Sequence, residues 1–312
     1  MDATFLTSGN LIADRRFEWA RDLADKGDLA GAADLLAQTL ELAPRYAAAW
    51  FVLGETRERL DDRASAIAAF EQARAADPRD RHGAGLHLIR LGATPAAAMP
   101  EGYVRALFDG YAPGFDKALT QGLGYRAPEL LLRAVRAAAP GQKFAAALDL
   151  GCGTGLAGAA FKPLCKQLTG IDLSPAMLAQ ARAKKIYDRL EEGDVIAFLQ
   201  AETVRYDLIV AADVFMYLDN LTRILKAAAR VLEPGAWLAF SVETHTGDGI
   251  ILRDTLRYAH GGTHVREALA AAGLGVVSLD SASTRNEKGI PVPGLIVVAQ
   301  RVLPPCEGGL GR

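Results

Sequence analysis

The stretch Leu148-Asp149-Leu150-Gly151-Cys152-Gly153-Thr154-Gly155 ends an apolar run, 146–150, that reads as a buried strand. Three glycines at alternate positions follow it at once. Glycine tolerates positive φ and lets a ligand approach the backbone closely, so the stretch predicts a strand, a tight ligand-facing turn and a helix from about Leu156. The next apolar run, 167–171, leads into Asp172-Leu173-Ser174. An acid at a strand end about 20 residues beyond a glycine turn is placed to accept hydrogen bonds from ribose hydroxyls. Gly153-Thr154-Gly155-x-x-Gly158 also fits the dinucleotide fingerprint. Asp149 separates the two readings: a carboxylate there would repel a pyrophosphate but would hold a cationic aminoacyl end.

Outward from this turn, short apolar runs alternate with helical stretches, the pattern of a parallel α/β sheet. The runs are 146–150, 167–171, 206–211, 236–242, 275–280 and 295–301, and 189–192 is a further short strand, at an edge or third in the series. Gly193-Asp194-Val195 places an acid after that third position, where an adenine amine needs an acceptor. Tyr206-Asp207-Leu208-Ile209-Val210 runs into Ala211-Ala212-Asp213, and Leu232-Glu233-Pro234-Gly235 precedes the next strand. Ser174-Pro175 suits a helix N-cap followed by proline at the first helical position. The polar loop 281–293 is long enough to be functional.

The N-terminal third has another period. Pro44 and Pro78 lie 34 residues apart, and Trp50, Leu53, Gly54, Ala66, Phe70 and Ala73 precede the second proline. This resembles the tetratricopeptide repeat, in which small residues let two helices approach and proline ends the second. Trp19, Leu23, Gly27, Ala32 and Leu36 hold matching places in a weaker first unit, and 81–91 reads as a single capping helix.

Taken together, residues 103–301 resemble the class I S-adenosylmethionine (SAM)-dependent methyltransferases. The features shared are the DxGxGxG loop, the ribose acid, the Gly-Asp after strand three, the Asp-Leu-Ile strand and the Pro-Gly turn, in that order. Phe108-Asp109-x-Tyr111-Ala112-x-x-Phe115-Asp116, Leu123-Gly124-Tyr125-Arg126, Arg257-Tyr258-Ala259-His260 and Arg285-x-Glu287-x-Gly289 are similar to the predicted methyltransferases that carry an N-terminal tetratricopeptide domain. The resemblance implies a Rossmann-like α/β fold of seven strands behind an all-α repeat domain, with SAM as cofactor. Asp149, Gly151, Cys152, Gly153, Gly155, Asp172, Leu173, Met177, Asp194, Val195 and Ala211 are the expected cofactor contacts. Tyr111, Phe115, Tyr125 and Asp213 are expected at the lid or substrate. His245 and His260 follow or approach strand ends and are the candidate bases for an acceptor that holds a proton. No residue is read as a metal ligand. The expected division is 1–95 repeats, 96–144 linker and lid helices, 145–303 the SAM domain and 304–312 a tail.

Bulk properties narrow the function further. The 312 residues carry a net charge of −2, with no basic excess to collect phosphates, so nucleic acid is a poor partner. The start, Met1-Asp2-Ala3, lacks the pattern of a secretory signal, and no apolar run approaches the ~20 residues that span a bilayer. Cys152, Cys165 and Cys306 form a sparse set without CxxC, which suits a reducing cytoplasm. The fourth strand ends in Ala211-Ala212-Asp213-Val214-Phe215 rather than in an Asn/Asp-Pro-Pro-aromatic turn, and no Pro-Cys stands at a strand end. The acceptor expected is a small molecule. A protein client recruited by the repeats, a SAM-binding scaffold without catalysis, and a nicotinamide enzyme using the same glycine loop are the alternatives.

Overall fold

The computed structural model describes residues 7–303; the start Met1-Asp2-Ala3, the expected tail 304–312 and Cys306 lie outside the described residues. Its contacts define two compact units. The first takes residues up to Ala106 with the short stretch Asp254–Leu256, and the second takes Leu107–Arg253 and Arg257 onward.

The first unit is helical: α1 (Leu11–Asp25), α2 (Leu29–Leu42), α3 (Ala47–Arg59), α4 (Arg63–Ala76) and α5 (Ala84–Arg90). Side chains at the N-caps set the starts. Asn10 accepts from the N–H groups of Ile12 and Ala13, Asp28 from Gly31, and Asp62 from Ser65. The α1–α2 pair buries the small residues Ala13, Ala20 and Ala24 of α1 and Ala32 of α2, together with Leu36. Gly54 permits the closest approach of α3 and α4: a Cβ there would lie 2.6 Å from the Phe70 ring. Trp50 Nε1 donates to the Pro44 carbonyl at 2.8 Å, tying the tryptophan to the proline that ends the previous repeat. His87 of α5 stacks on Phe70 with ring centroids 4.5 Å apart, so α5 closes the open face of the second repeat. The first repeat corrects one expectation. Trp19 is 53% exposed and carries the Arg15 guanidinium over its ring. On the 34-residue offset Ala20 takes the place of Gly54, and the buried aromatic of α1 is Phe17.

In the second unit α6 (Glu101–Tyr111), which begins before the division, and α7 (Phe115–Lys117) with the π-turn after it lead to α8 (Ala127–Ala138). Then follow β1 (Phe144–Leu150), α9 (Leu156–Phe161), β2 (Cys165–Asp172), α10 (Pro175–Lys184), β3 (Arg189–Glu192), α11 (Val195–Ala201), β4 (Tyr206–Ala211), α12 (Leu221–Val231) and β5 (Leu232–Glu243). The chain ends through β6 (Ile250–Leu252), β7 (Tyr258–His260), α13 (Gly262–Ala271), β8 (Leu274–Ser281), β9 (Asn286–Glu287), β10 (Ile290–Pro291) and β11 (Gly294–Arg301). The main path of the sheet is β3-β2-β1-β4-β5-β11-β8, the seven strands expected, with 189–192 at the edge. Strands β1 to β5 pair in parallel, and β11 runs antiparallel between β5 and β8.

Side-chain alternation sends Leu238 and Phe240 to one face, under α12 and α13, and Trp237 and Ala239 to the other, under α8 and α9. The strand order reverses at β1/β4, so the crevice at the carboxyl ends of these strands is the place where open α/β sheets receive ligands. The β6–β7 hairpin extends the sheet beyond the end of β5, where Glu243 pairs with Ala259. No described helix is long and apolar enough to cross a membrane.

Candidate functional site

The glycine turn at the end of β1 is built as its spacing predicts. Gly151, Gly153 and Gly155 all have positive φ, at 61°, 54° and 92°. Their surroundings differ. A Cβ on Gly151 would meet Val214 at 2.5 Å, and one on Gly155 would meet Tyr187 at 3.0 Å. Over Gly153 the nearest heavy atom is Phe115 Cε1, at 4.0 Å. The middle glycine thus has open space above it, and the outer two are needed for packing. The Cys152 N–H donates to the Ile171 carbonyl at 2.9 Å, and burial pushes its thiol well above the usual range, so this cysteine braces β2 as a neutral thiol.

Asp149 is 2% exposed. Its Oδ2 accepts from the Tyr187 hydroxyl at 2.7 Å, and its Oδ1 has no hydrogen-bond partner. Burial, with a smaller push from the Asp172 charge, lifts its pKa to about 7, against the lowering effects of the Tyr187 hydroxyl and of the Gly158 backbone N–H. Asp172 holds the turn from the side: Oδ2 accepts from the Gly153 N–H and Oδ1 from the Ser174 N–H, each at 2.8 Å. Burial raises its pKa as well. Two accepted bonds leave a carboxylate with lone pairs to spare, so this bracing is compatible with ribose recognition. Leu173 is half-buried beside it, whereas Met177 is fully buried in α10. Asp194 is exposed and caps α11, accepting from the N–H groups of Ile196 and Ala197 at 3.0 and 2.8 Å. Val195 is the half-buried first residue of that helix, and Ala211 is buried at the end of β4.

The segment that carries Tyr111 and Phe115 is fastened by two acids, one to the start of α10 and one to the glycine turn. Asp109 accepts from the Ser174 hydroxyl at 2.5 Å. Asp116 accepts from the Thr154 hydroxyl and pairs with Lys184 at 2.7 Å. Phe115 faces Gly153, and Phe108 sits edge-on to Phe115 and to Tyr217. Tyr111 is 58% exposed and does not join this group. Tyr125 is half-buried; burial raises its pKa far above the usual range, and the Asp213 charge adds to the effect.

At the ends of β4 and β5 the structure assembles a cluster that sequence reasoning did not predict. Asp213 adopts positive φ, 56°, unusual for a non-glycine residue. Its Oδ1 accepts from Ser241 at 2.6 Å, and its Oδ2 from Thr284 at 3.0 Å and Arg285 Nη1 at 2.6 Å. Arg285, 6% exposed, also pairs with Glu243 and, at 3.1 Å, with Glu287. Arg257 Nε donates to Glu243 at 2.6 Å and its Nη2 pairs with Glu287, while Arg253 lies 3.5 Å from Glu243. Three arginines therefore face three carboxylates. Arg257, Arg285 and Glu287 stand in the motifs quoted above, but nothing in their local spacing shows that they converge. The loop that carries Arg285 is tied to the 123–126 turn: the Arg126 N–H donates to the Thr284 carbonyl and the Asn286 N–H to the Leu123 carbonyl, both at 2.8 Å.

The two histidines lie elsewhere. His245 has both ring nitrogens engaged by its own loop: Nδ1 accepts from the Gly247 N–H at 3.1 Å and Nε2 lies 3.3 Å from the Gly249 carbonyl. His260 is fully buried, stacked on His264 at 5.7 Å, with Nε2 3.3 Å from the Phe215 carbonyl. Burial pushes its pKa down to about 4, which leaves it neutral near pH 7.

Comparison with known proteins agrees with this architecture. Residues 148–240 match a methyltransferase domain, and residues 23–87 match a tetratricopeptide repeat. Human methyltransferase-like protein 27 is 44% identical over 85 residues, 27% of this chain and 34% of its own length. A malonyl-[acyl-carrier protein] O-methyltransferase of Enterobacter lignolyticus is 32% identical over 108 residues, 35% of this chain and 43% of its own. The chain thus spans less than half the length of these relatives. Among solved structures, magnesium protoporphyrin IX methyltransferase of Synechocystis aligns with a TM-score of 0.51 at 17% identity, over 67% of this chain and 100% of its own. The cyclase SpnF aligns with a TM-score of 0.53 at 17% identity, over 67% of this chain and 98% of its own. At that identity the likeness is one of fold.

Proposed function

From a methyltransferase domain joined to tetratricopeptide repeats, we propose that the protein is a SAM-dependent methyltransferase acting on a small-molecule acceptor. The observation that carries the cofactor is the pair of features at the end of β1: a buried carboxylate with an unpartnered Oδ1 at Asp149, and open backbone above Gly153. The first suits a cationic ammonium and would oppose a pyrophosphate. The second is a cradle that any side chain would fill. Asp172 would meet the ribose, and Asp194 the adenine amine. Bound SAM supplies an activated methyl group. The chain's own part is to hold the donor and the acceptor in line and to keep water out.

Asp213 has both oxygens engaged by Ser241, Thr284 and Arg285, so it reads as an anchor of the acceptor side rather than as a proton acceptor. The loop around Arg285, tied to the 123–126 turn, borders that side with backbone, which favours a small acceptor over an extended one. Relatives named for trans-aconitate and for ubiquinone biosynthesis support the same choice. The repeats favour a second reading, in which a protein client is recruited through residues 23–87. A third reading, already open from the sequence, is a SAM-binding scaffold without catalysis.

One experiment separates them. The full chain is incubated with methyl-labelled SAM and a fractionated metabolite extract, and in parallel with a protein extract. Label on one small compound is expected. Label on a protein band alone would overturn the small-molecule reading, and SAM binding with no label transferred would favour the third.

A further inference from the structure

Tyr187 lies outside every motif that pointed to the cofactor, in the connection between α10 and β3, yet the glycine turn is shaped around it. A Cβ on Gly155 would lie 3.0 Å from its ring, one on Gly158 of α9 would collide with its hydroxyl, and one on Gly170 of β2 would lie 2.8 Å both from its ring and from Leu190. Gly158 and Gly170 have no positive φ, so no turn requires glycine at either position. Three glycines on three elements thus form a slot for one phenol. The slot delivers its hydroxyl to Asp149 Oδ2 at 2.7 Å, while Oδ1 of the same carboxylate, buried, has no partner.

We infer that Tyr187 is a positioning residue of the cofactor site: its hydroxyl occupies one oxygen of Asp149 and so aims the other at the cationic amino-acid end of SAM. The inference rests on the SAM reading above. It also explains why glycine stands at 158, the last position of the dinucleotide-like spacing: here it makes room for the tyrosine, where a dinucleotide site uses that glycine for close packing of helix on strand.

Charge balance supports the assignment. The titratable groups around Asp149 are Tyr187, Asp172 of β2, Cys152 of the glycine turn, Cys165 at the start of β2 and Tyr125 before α8. None of these is a cation. A buried carboxylate so surrounded gains its counter-charge when an ammonium arrives, and it must be ionised to do so. The tyrosine hydrogen bond favours the ionised form, and burial opposes it.

The test measures binding of S-adenosylhomocysteine and of methylthioadenosine, which lacks the amino-acid end, by calorimetry between pH 5.5 and 8.5. In the wild-type chain, S-adenosylhomocysteine affinity falls as the pH drops through the Asp149 pKa, near 7. In Tyr187→Phe, which keeps the ring in its slot, this limb moves up by about 1–2 pH units, the worth of one hydrogen bond to a charged group. At pH 6 the variant binds S-adenosylhomocysteine about 10- to 100-fold more weakly, and the gap narrows as the pH rises. Methylthioadenosine binding does not change. In an Asp149→Asn background, Tyr187→Phe has no further effect on S-adenosylhomocysteine.

Equal weakening of both ligands at every pH would make Tyr187 a packing residue and overturn the inference. So would an unshifted limb, or a full additional loss in the Asp149→Asn background. A wild-type chain that bound neither ligand would overturn the SAM reading itself, and the inference with it.

Discussion

The two sides of the crevice deal with buried charge in opposite ways. At the ends of β1 and β2, Asp149 and Asp172 are buried without a cationic side chain in contact, and Asp149 keeps an unpartnered oxygen. At the ends of β4 and β5, Asp213 and Glu243 are also buried or nearly so, but Arg285 bridges them and Arg257 joins Glu243 to Glu287. The first side is short of positive charge and suits a ligand that brings it. The second is neutral within itself. Glu243 Oε2 also lacks a hydrogen bond, but Arg253 lies 3.5 Å from it, so what distinguishes the two sides is the cation beside the carboxylate.

The largest expected effect falls on the neutral side. Arg285→Met leaves Asp213 and Glu243 buried without their shared counter-ion, and the expected loss of stability is about 3–5 kcal/mol. A urea melt of the variant measures it. A loss below 1 kcal/mol would mean that the cluster is solvated and that the contrast between the two sides does not hold.

Next is Gly153→Val. A branched side chain there fills the open space above the turn and disfavours the φ of 54°. S-adenosylhomocysteine binding falls more than about 100-fold, equivalent to roughly 2.7 kcal/mol, while far-ultraviolet circular dichroism stays that of the wild type. Normal binding would place the cofactor elsewhere.

The same contrast explains what the sequence made legible. The side proposed for the cofactor is local: a strand, a turn and an acid about 20 residues on can be read from one window. The seven strands were legible for a similar reason, since each is a short apolar run between turn signals. Tyr187 was not, because it reaches Asp149 from 38 residues away with no period to mark it. Its trace was indirect, in Gly158 and Gly170, glycines that no turn requires. The acceptor side joins residues 213, 243, 257, 285 and 287 through the order of the sheet, and spacing along the chain carries no sign of that. The two histidines show the same limit. A position near a strand end suggested a base, but side-chain direction put His260 into the core and closed His245 onto its own loop. In the repeats, the 34-residue offset sets Trp19 opposite the buried Leu53, yet Trp19 is exposed and Phe17 and Ala20 fill the core of its helix.

Asp172→Ala comes third. It removes the acceptor for two backbone N–H groups as well as the expected ribose contact. Hydrogen bonds to charged groups are worth about 1.5–3 kcal/mol, which predicts S-adenosylhomocysteine binding roughly 10- to 150-fold weaker. Titration calorimetry that found an unchanged constant would confine Asp172 to bracing the turn.

The smallest effect belongs to Asp194. As the N-cap of α11 its replacement by Ala costs about 1 kcal/mol, whereas Asn preserves the cap. Thermal melts of the two variants separate the cap from the ligand: if Asp194→Asn melts like the wild type yet binds S-adenosylhomocysteine more weakly, the acid also serves the adenine.

The central claim, that the glycine turn and its unpartnered carboxylate form a SAM site, is tested most directly by titrating the full chain with S-adenosylhomocysteine and with NAD in the same buffer at pH 8. Saturable binding of S-adenosylhomocysteine with one site per chain is expected, and none of NAD. Saturable NAD binding with no response to S-adenosylhomocysteine would contradict it.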